Sequence, residues 1–145
     1  MAKQMVLRIG KPPGRSRAPL WAWKVWSRRT PKPDLRSRAH LPSGTAGVRI
    51  EFEAPPDCVL LSDFTRWHVV LNRQFLSDNA EEDDAAATRM SGDRKLRIER
   101  SWERIFELDR GDPEYWGPFG DRGIQATLWQ IELAQVRKVT SFTAR

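Results

Sequence analysis

The segment VLLSDFTRWHVVLN, residues 59–72, changes from one hydrophobic pattern to another within a few positions. It opens with a short apolar run of the kind that forms a buried strand, which we predict over 58–61. Ser62 and Asp63 follow, and either side chain can accept hydrogen bonds from the N–H groups that start a helix. Apolar residues then recur at helical spacing, so the pattern predicts an amphipathic helix over 64–76.

The same segment contains residue types that are used in catalysis. Serine, aspartate and histidine are the components of a hydrolytic triad, which makes Asp63 and His68 candidate catalytic residues. However, no G-x-S-x-G turn is present, and triads are assembled by geometry rather than by closeness in sequence. We favour a structural interpretation in which Asp63 caps the helix and His68 forms a hydrogen bond at its edge. His40 and His68 are the only histidines and lack metal-ligand spacing, so no metal site is predicted.

The remaining segments predict an α+β fold. Apolar residues on both faces of 20–27 indicate an inner strand. The alternation in 48–53 predicts a strand whose Val48, Ile50 and Phe52 point inward. We therefore predict a small, mainly antiparallel sheet with two helices packed on one face. The second helix and the last two strands are predicted over 94–108, 124–133 and about 137–143.

Proline and charge divide the chain into regions. Several prolines predict a basic, irregular and flexible arm over 1–19, which Arg15 and Arg17 keep solvated. Residues 20–145 are predicted to form one α+β domain, a size that suits a single core. Within it, 77–93 is acidic and poor in apolar residues, so we predict a mobile linker there.

Positive charge is concentrated in the first third of the chain. Residues 1–49 hold twelve Lys or Arg against one acid, whereas 50–145 hold thirteen against eighteen, which gives the net charge of +6. Such a basic block is typical of proteins that contact the phosphate of nucleic acid or of a nucleotide-like ligand. A solubilising tail, or an intramolecular partner for the acidic half, would show the same composition. Arginine forks suit phosphate, and the candidate ligand-binding residues are Arg28, Arg29, Arg36, Arg38 and His40.

Aromatic residues admit two interpretations. The three tryptophans of 20–27 would offer stacking faces to bases if they were exposed. Large aromatics are mostly buried, so we favour a core role for them. Three more aromatics lie in a Gly/Pro-rich loop over 109–123, where exposure would indicate a partner or nucleobase contact. The sequence leaves open the exposure of Tyr115, Trp116 and Phe119.

The cysteine count and the lengths of the apolar runs exclude several classes of protein. The single cysteine, Cys58, excludes an intramolecular disulfide and a cysteine-based metal site, and it fits a reducing cytoplasm. No apolar run approaches the roughly 18 residues that a membrane-spanning helix needs. The N-terminus also lacks the apolar core of a secretory signal. We therefore predict a cytoplasmic protein with no membrane partner and no cofactor.

Six segments resemble a bacterial and phage family that is classed only as a domain of unknown function. They are PLWAW, PDLR, GVRIEF, VLLSDFTRWHVVLN, SWERIFEL and IQATLWQIELAQVRKVTSF, and the resemblance extends over most of residues 5–145. Members of the family have a further strand and helix before the point that matches Gln4. The resemblance therefore implies a truncated version of the family here, and it carries no established activity.

A second resemblance, to the ADP-ribosyltransferase fold, lies in the segment GIQATLWQIELAQVRKV. These enzymes hold NAD in a cleft and carry a catalytic glutamate near the start of a late strand, close to the place of Gln125. The resemblance implies an NAD-using enzyme or a degenerate relative, because a glutamine cannot supply that carboxylate.

Whether the protein is an enzyme is left open by the sequence. The leading hypothesis is a small basic binding module for nucleic acid or a nucleotide-like anionic ligand. The alternatives are an NAD-using ADP-ribosyltransferase relative and a phage or mobile-element protein that acts on a host partner. The oligomeric state is not readable from the sequence.

Overall fold

The structure, a computed structural model, describes residues 1–14, 18–89 and 92–145 of the 145-residue chain. Two parts of the predictions lie outside these residues. They are the solvated pair Arg15 and Arg17 in the N-terminal arm, and positions 90–91 in the acidic linker.

The described residues form helices and strands in mixed order. The helices are α1 (Ala2–Ile9), α2 (Phe64–Leu71), α3 (Ala80–Arg89), α4 (Arg94–Ser101) and α5 (Pro113–Trp116). The strands are β1 (Leu20–Val25), β2 (Ala46–Phe52), β3 (Leu60–Asp63), β4 (Ile124–Leu128) and β5 (Val136–Thr143). A 3-10 segment, Trp102–Phe106, continues α4, so the helix predicted over 94–108 is confirmed in outline. Among the helices of the described ranges, none has the length and apolar character needed to cross a membrane.

The strands make two small antiparallel sheets. One has the order β1-β4-β3, and the other pairs β2 with β5. The α+β class is therefore confirmed. The single sheet that the sequence predicted is wrong, because β2 pairs with β5 instead of joining β1.

The chain folds into two compact units, each assembled from separated segments. The first unit comprises Met1–Trp21, Lys32–Leu60 and Thr127–Arg145, and the second comprises Ala22–Pro31 and Leu61–Ala126. Each unit has its own buried apolar residues. Those of the first unit are Met5, Leu60, Leu128, Trp129 and Ala144, and those of the second are Leu76, Ile105 and Ala126. The boundary predicted between an arm at 1–19 and one domain from residue 20 stays a prediction.

The N-terminal residues of the first unit are helical. Residues 2–9 form α1, so the prediction of an irregular segment is wrong for them. The prolines that suggested irregularity begin at Pro12, after α1 has ended at Gly10, and they leave the helix itself unbroken. Met5 is fully buried. The indole Nε1 of Trp129 donates to the carbonyl of Gly10 over 2.9 Å, which ties the end of the helix to its own unit.

Within the β2–β5 ribbon, β2 turns its charged residues inward. Val48 and Ile50 are 56% and 50% exposed, whereas Arg49 and Glu51 are half-buried, so the predicted orientation is wrong for Val48 and Ile50. Phe52, which follows a register shift after Glu51, is half-buried. Arg49 donates to the carbonyl of Pro33 over 2.6 Å, so the segment that precedes the ribbon packs on the charged face. The exposed face consists of uncharged residues in register: Ala46 with Thr143, Val48 with Ser141, and Ile50 with Val139.

In the second unit, α2 begins and ends at identifiable caps. The carboxylate of Asp63 accepts a hydrogen bond from the amide of Arg66 over 3.1 Å, which confirms the predicted cap. The helix ends at Leu71 rather than continuing to residue 76, because Arg73 adopts a φ of 56°. The amide of Gln74 then donates back to the carbonyl of Val69 over 3.0 Å and closes the end of the helix.

Residues 80–89, which lie inside the predicted acidic linker, form α3. The side chain of Asn79 accepts from the amide of Glu82 over 2.8 Å, as an N-terminal cap does. The carboxylate of Glu82 is in turn bound by Arg104 over 2.8 Å. Ion pairing thus orders a segment whose composition offers little apolar surface.

Candidate functional site

A buried arginine cluster holds the second unit together. Arg66 is fully buried, and its guanidinium donates to the carbonyls of Arg104 and Arg110 and to the carboxylate of Asp78 over 3.0, 3.3 and 3.0 Å. Burial lowers the pKa of Arg66 below its ordinary value, although the charge of Asp78 opposes that effect. The cluster comprises Arg66, Arg104, Arg110 and Arg122 with Asp63, Asp78, Glu82 and Glu107.

Asp78 joins three of these arginines. Its carboxylate lies 3.0 Å from Arg66, 3.3 Å from Arg104 and 2.7 Å from Arg110. Nearby, burial raises the pKa of Glu82, but hydrogen bonds from Arg104 and from the amide of Asp78 outweigh it, so the pKa lies below its ordinary value. The positive charges of this cluster are therefore matched by the carboxylates of the protein itself.

Asp63 belongs to the same cluster. It is fully buried, caps α2, and its second oxygen lies 3.3 Å from the guanidinium of Arg122. Arg122 is 3% exposed and also donates to the carbonyls of Gly117 and Arg110. Both oxygens of Asp63 are thus used for structure, and the segment 59–72 is a strand that leads into a capped helix.

The second unit also contains a pocket, and two of its wall residues, Trp116 and Phe75, lie beside Arg66 and Arg104 of the buried cluster. Its volume is about 310 Å³, and α2 with the residues after it, α3, α4 and α5 all contribute to its wall. Val69, Phe75 and Ile98 give it an apolar surface. Ala86 and Ala87 of α3 have short side chains and leave room for a ligand. A volume near this size is at the lower end of the range for small-molecule sites, roughly 300–1,000 Å³.

Two arginines of the pocket differ from those of the buried cluster. Arg73, after α2, and Arg94, the first residue of α4, both line the pocket and are exposed. Within the described ranges, neither side chain has a carboxylate within 4.0 Å. Arginine side chains placed in this way can receive an anion, because the guanidinium donates in a planar fork that matches phosphate and carboxylate.

Tyr115 and Trp116 of α5 form the aromatic part of the wall. Their rings meet edge to face with centroids 5.1 Å apart, and Tyr115 is 40% exposed. Trp116 is held in place because its Nε1 donates to the carbonyl of Ser77 over 3.0 Å. The backbone at Gly111 passes so close that a Cβ there would lie 2.9 Å from the Trp116 ring. The exposure that the sequence left open is therefore partial for Tyr115 and Trp116, which face a cavity. Phe119 is 40% exposed and lies outside the pocket wall, with the guanidinium of Arg122 4.6 Å from its ring centroid.

The predicted phosphate-binding residues are divided between the two units. Arg28 and Arg29 follow β1 in the second unit and are exposed, whereas Arg36, Arg38 and His40 belong to the first. The side chain of Arg36 is taken up by Asp34, with N–O distances of 2.8 and 3.2 Å. This hydrogen bond lowers the pKa of Asp34 from 3.8 to about 2.

The other candidate catalytic residues lie apart from the pocket wall. His68 is exposed on α2, its Nδ1 lies 2.9 Å from the carbonyl of Phe64, and its ring packs edge to face on that residue. Gln125 of β4 is half-buried, and its Oε1 is a buried atom without a hydrogen-bond partner among the described residues. The same is true of the hydroxyl of Ser62. In the described part of the chain, no three His, Cys, Asp or Glu side chains gather as metal ligands would.

Two of the tryptophans predicted for the core pack against α2. Trp23 lies 4.6 Å, centroid to centroid, from both Trp26 and Phe64 and meets each ring edge to face. All three are half-buried, in agreement with a packing role. Trp21 is 44% exposed, so the prediction of a core residue is wrong at that position.

Comparison with known proteins gives one match. The family model for a domain of unknown function, DUF3841, matches residues 1–91, a range that includes α1 to α3 and β1 to β3. No curated protein and no solved structure is significantly similar to the chain. Since the matched region is more than half of the sequence, the chain belongs to the DUF3841 family, a family defined without a function.

Proposed function

We propose that the protein is a binding module for a small anionic ligand with a flat ring, such as a nucleotide, and that the ligand occupies the pocket of the second unit. The observation that carries this proposal is the contrast between two sets of arginines. Those of the buried cluster are matched by carboxylates, whereas Arg73 and Arg94 face the pocket without one in the described chain.

The backbone at Arg73 adds to the argument. A residue with φ near 56° at the end of a helix is most often glycine, because a side chain costs about 1 kcal/mol in the left-handed region. Local stability therefore does not favour arginine at this position. Strained residues that persist in this way cluster at ligand sites, and the guanidinium of Arg73 supplies a reason for its presence.

The rest of the wall suits the flat part of such a ligand. Tyr115 and Trp116 offer aromatic surface, and bases stack on such rings with about 1–3 kcal/mol per base. Val69, Phe75 and Ile98 exclude water beside them. A nucleoside monophosphate requires a pocket of this kind, with positive charge on one part of the wall for the phosphate and aromatic rings on another part for the base.

Isothermal titration of nucleoside monophosphates into the protein, over a salt series, tests this proposal. We expect Arg73→Gly and Arg94→Gln each to weaken binding about tenfold through loss of a charged hydrogen bond. Arg100→Gln is the matched control, because Arg100 is exposed on α4 outside the pocket wall and its replacement removes the same charge. Binding that is absent at low salt, or equal in all four proteins, would refute the pocket as the site.

The same titration can distinguish a protein that binds a nucleic-acid strand from one that binds a single nucleotide. If the ligand is the end of a single strand, oligonucleotides will bind more tightly than monophosphates and with a steeper salt dependence. The exposed pair Arg28 and Arg29 would then contribute, and the double replacement of both by glutamine would reduce that slope. Equal affinity for monophosphates and oligonucleotides would limit the ligand to a single nucleotide.

A second candidate function is the binding of NAD by an ADP-ribosyltransferase relative. The observation in its favour is the buried Oε1 of Gln125, which has no hydrogen-bond partner in the described chain. Labelled NAD should then bind to the wild-type protein, and Gln125→Glu should gain transfer to an acceptor by restoring a carboxylate. Failure of both proteins to bind NAD would eliminate this candidate.

A further inference from the structure

The pocket contains an acid as well as its two arginines. Asp83 of α3 lines the same cavity and is exposed. One of its oxygens accepts a hydrogen bond from the hydroxyl of Ser77 over 3.3 Å. Within the described ranges, no Arg73 or Arg94 nitrogen lies within 4.0 Å of the carboxylate. Opposite charges in one pocket that do not neutralise each other indicate a ligand with different chemistry at its two ends.

A carboxylate can only accept hydrogen bonds, and it has room for about four of them. The hydroxyl of Ser77 takes one of those places on Asp83. A phosphate beside Asp83 would be repelled, whereas an N–H donor would be bound. Arginine has the opposite preference, since it has five N–H donors and no acceptor. The anionic end of the ligand therefore belongs at Arg73 and Arg94, and a donor belongs at Asp83.

Gln74 provides a further polar group in the same wall. Its backbone carbonyl accepts from the indole of Trp102 over 2.8 Å, and Gln74 is one of the residues that line the pocket. An amide both donates and accepts, which is the pattern that an amino group beside a ring nitrogen presents. The acceptor of Asp83 and the amide of Gln74, both residues of one wall, are the two kinds of group that the edge of an amino-bearing base would need.

From this arrangement we infer that the pocket selects nucleotides whose base carries an exocyclic amino group, such as cytosine, over bases that present a carbonyl there, such as uracil, with Asp83 as the specificity-determining residue. This inference rests on the proposed function. Cytosine presents an N–H₂ donor at the position where uracil presents an acceptor oxygen. The carboxylate of Asp83 would bind the amino group of cytosine and repel the carbonyl oxygen of uracil.

The test compares CMP with UMP, which share the phosphate and the ring size. We expect CMP to bind the wild-type protein about tenfold more tightly, the discrimination typical of one such polar contact. Asp83→Asn should bring the two affinities together, since the new amide can donate to uracil and can still accept from Ser77. Asp84→Asn, an exposed neighbour on α3 outside the pocket wall, should leave the ratio of affinities unchanged.

The outcomes separate this inference from the proposed function. Equal binding of CMP and UMP that still depends on Arg73 would overturn the base selection and leave the anion site in place. A preference for CMP that Asp83→Asn does not reduce would also overturn the inference. Binding of neither nucleotide by the wild-type protein would refute both proposals together.

Discussion

A single carboxylate, that of Asp78, shows how the second unit tolerates a fully buried guanidinium. Arg66 is 0% exposed, and its charge is matched because Asp78 lies 3.0 Å away. Removing one partner of such a pair leaves an uncompensated buried charge, which costs about 3–5 kcal/mol. Loss of the Asp78 carboxylate would destabilise the whole cluster, because Asp78 also binds Arg104 and Arg110.

At this residue scale we predict that Asp78→Asn lowers the free energy of unfolding by about 3 kcal/mol, since Arg66 loses its charged partner and Asp78 is only partly exposed. Urea denaturation followed by circular dichroism measures the change. Asp84→Asn is the control, and we expect it to remain within about 0.5 kcal/mol of the wild type, as exposed substitutions do. A loss below 1 kcal/mol for Asp78→Asn would show that the buried arginine does not depend on the charge of Asp78, and that its carbonyl partners and the nearby charge of Asp63 suffice.

At the scale of the element, a substitution at the end of α2 can weaken ligand binding without lowering the stability of the protein. The backbone of Arg73 adopts the left-handed conformation, and Arg73 also brings a positive charge to the pocket wall. We predict that Arg73→Gly leaves the free energy of unfolding equal to the wild type or raises it by up to about 1 kcal/mol, because glycine adopts this φ without a steric cost.

Arg73→Val is the contrasting variant. It removes the same charge but places a β-branched side chain in the left-handed region, so we expect the valine protein to be less stable than the glycine protein by about 1–2 kcal/mol. Both variants should lose affinity for the anion equally. If the glycine variant were the less stable one, the side chain of Arg73 would have a packing role that the structure does not show.

The elements also show what the sequence could predict. Asp63 and the apolar spacing after it predict the start of α2 correctly, because capping and periodicity are local properties. The alternation in 48–53 predicts β2, but alternation does not say which face of a strand is covered, and here Arg49 donates a hydrogen bond to the carbonyl of Pro33. The acidic composition of 77–93 does not predict α3, in part because Glu82 is bound by Arg104, a residue distant in sequence.

The candidate site was harder to predict than the fold. Tyr115 and Trp116 could be selected from the sequence as aromatics of a Gly/Pro-rich loop. Arg73 and Arg94 could not be distinguished from the other arginines by type or spacing. What distinguishes them is their position in the pocket wall together with the lack of a carboxylate neighbour in the described structure, and both are set by tertiary packing.

At the scale of the whole molecule, the region that the family model matches lacks the strands with which its own strands pair. Residues 1–91 include β1, β2 and β3, but β4, which joins β1 to β3, and β5, the partner of β2, come later in the chain. Arg104, which binds the acidic helix α3, also lies beyond the matched region. Neither compact unit is complete without the last third of the sequence.

We therefore predict that a fragment of residues 1–91 does not fold, because its strands are left as unpaired edges. Far-UV circular dichroism and urea titration should show a cooperative transition for the full chain and none for the fragment. Adding the complementary fragment, 92–145, should restore strand signal if pairing with β4 and β5 is what is missing. A cooperative transition in the fragment alone would contradict the predicted dependence.

The inverted β2–β5 ribbon also governs how the protein behaves in concentrated solution. The solvent-exposed face of the ribbon carries no charged side chain at Ala46, Val48 and Ile50 or at their partners on β5. Colloidal repulsion must then come from the rest of the surface, which carries a net charge of +6 and an isoelectric point near 10.1. Added salt shortens the range of that repulsion to about 3 Å at 1 M. Because the uncharged side of this strand faces the solvent, we expect added salt to lower the solubility of the protein and low ionic strength to keep it dissolved.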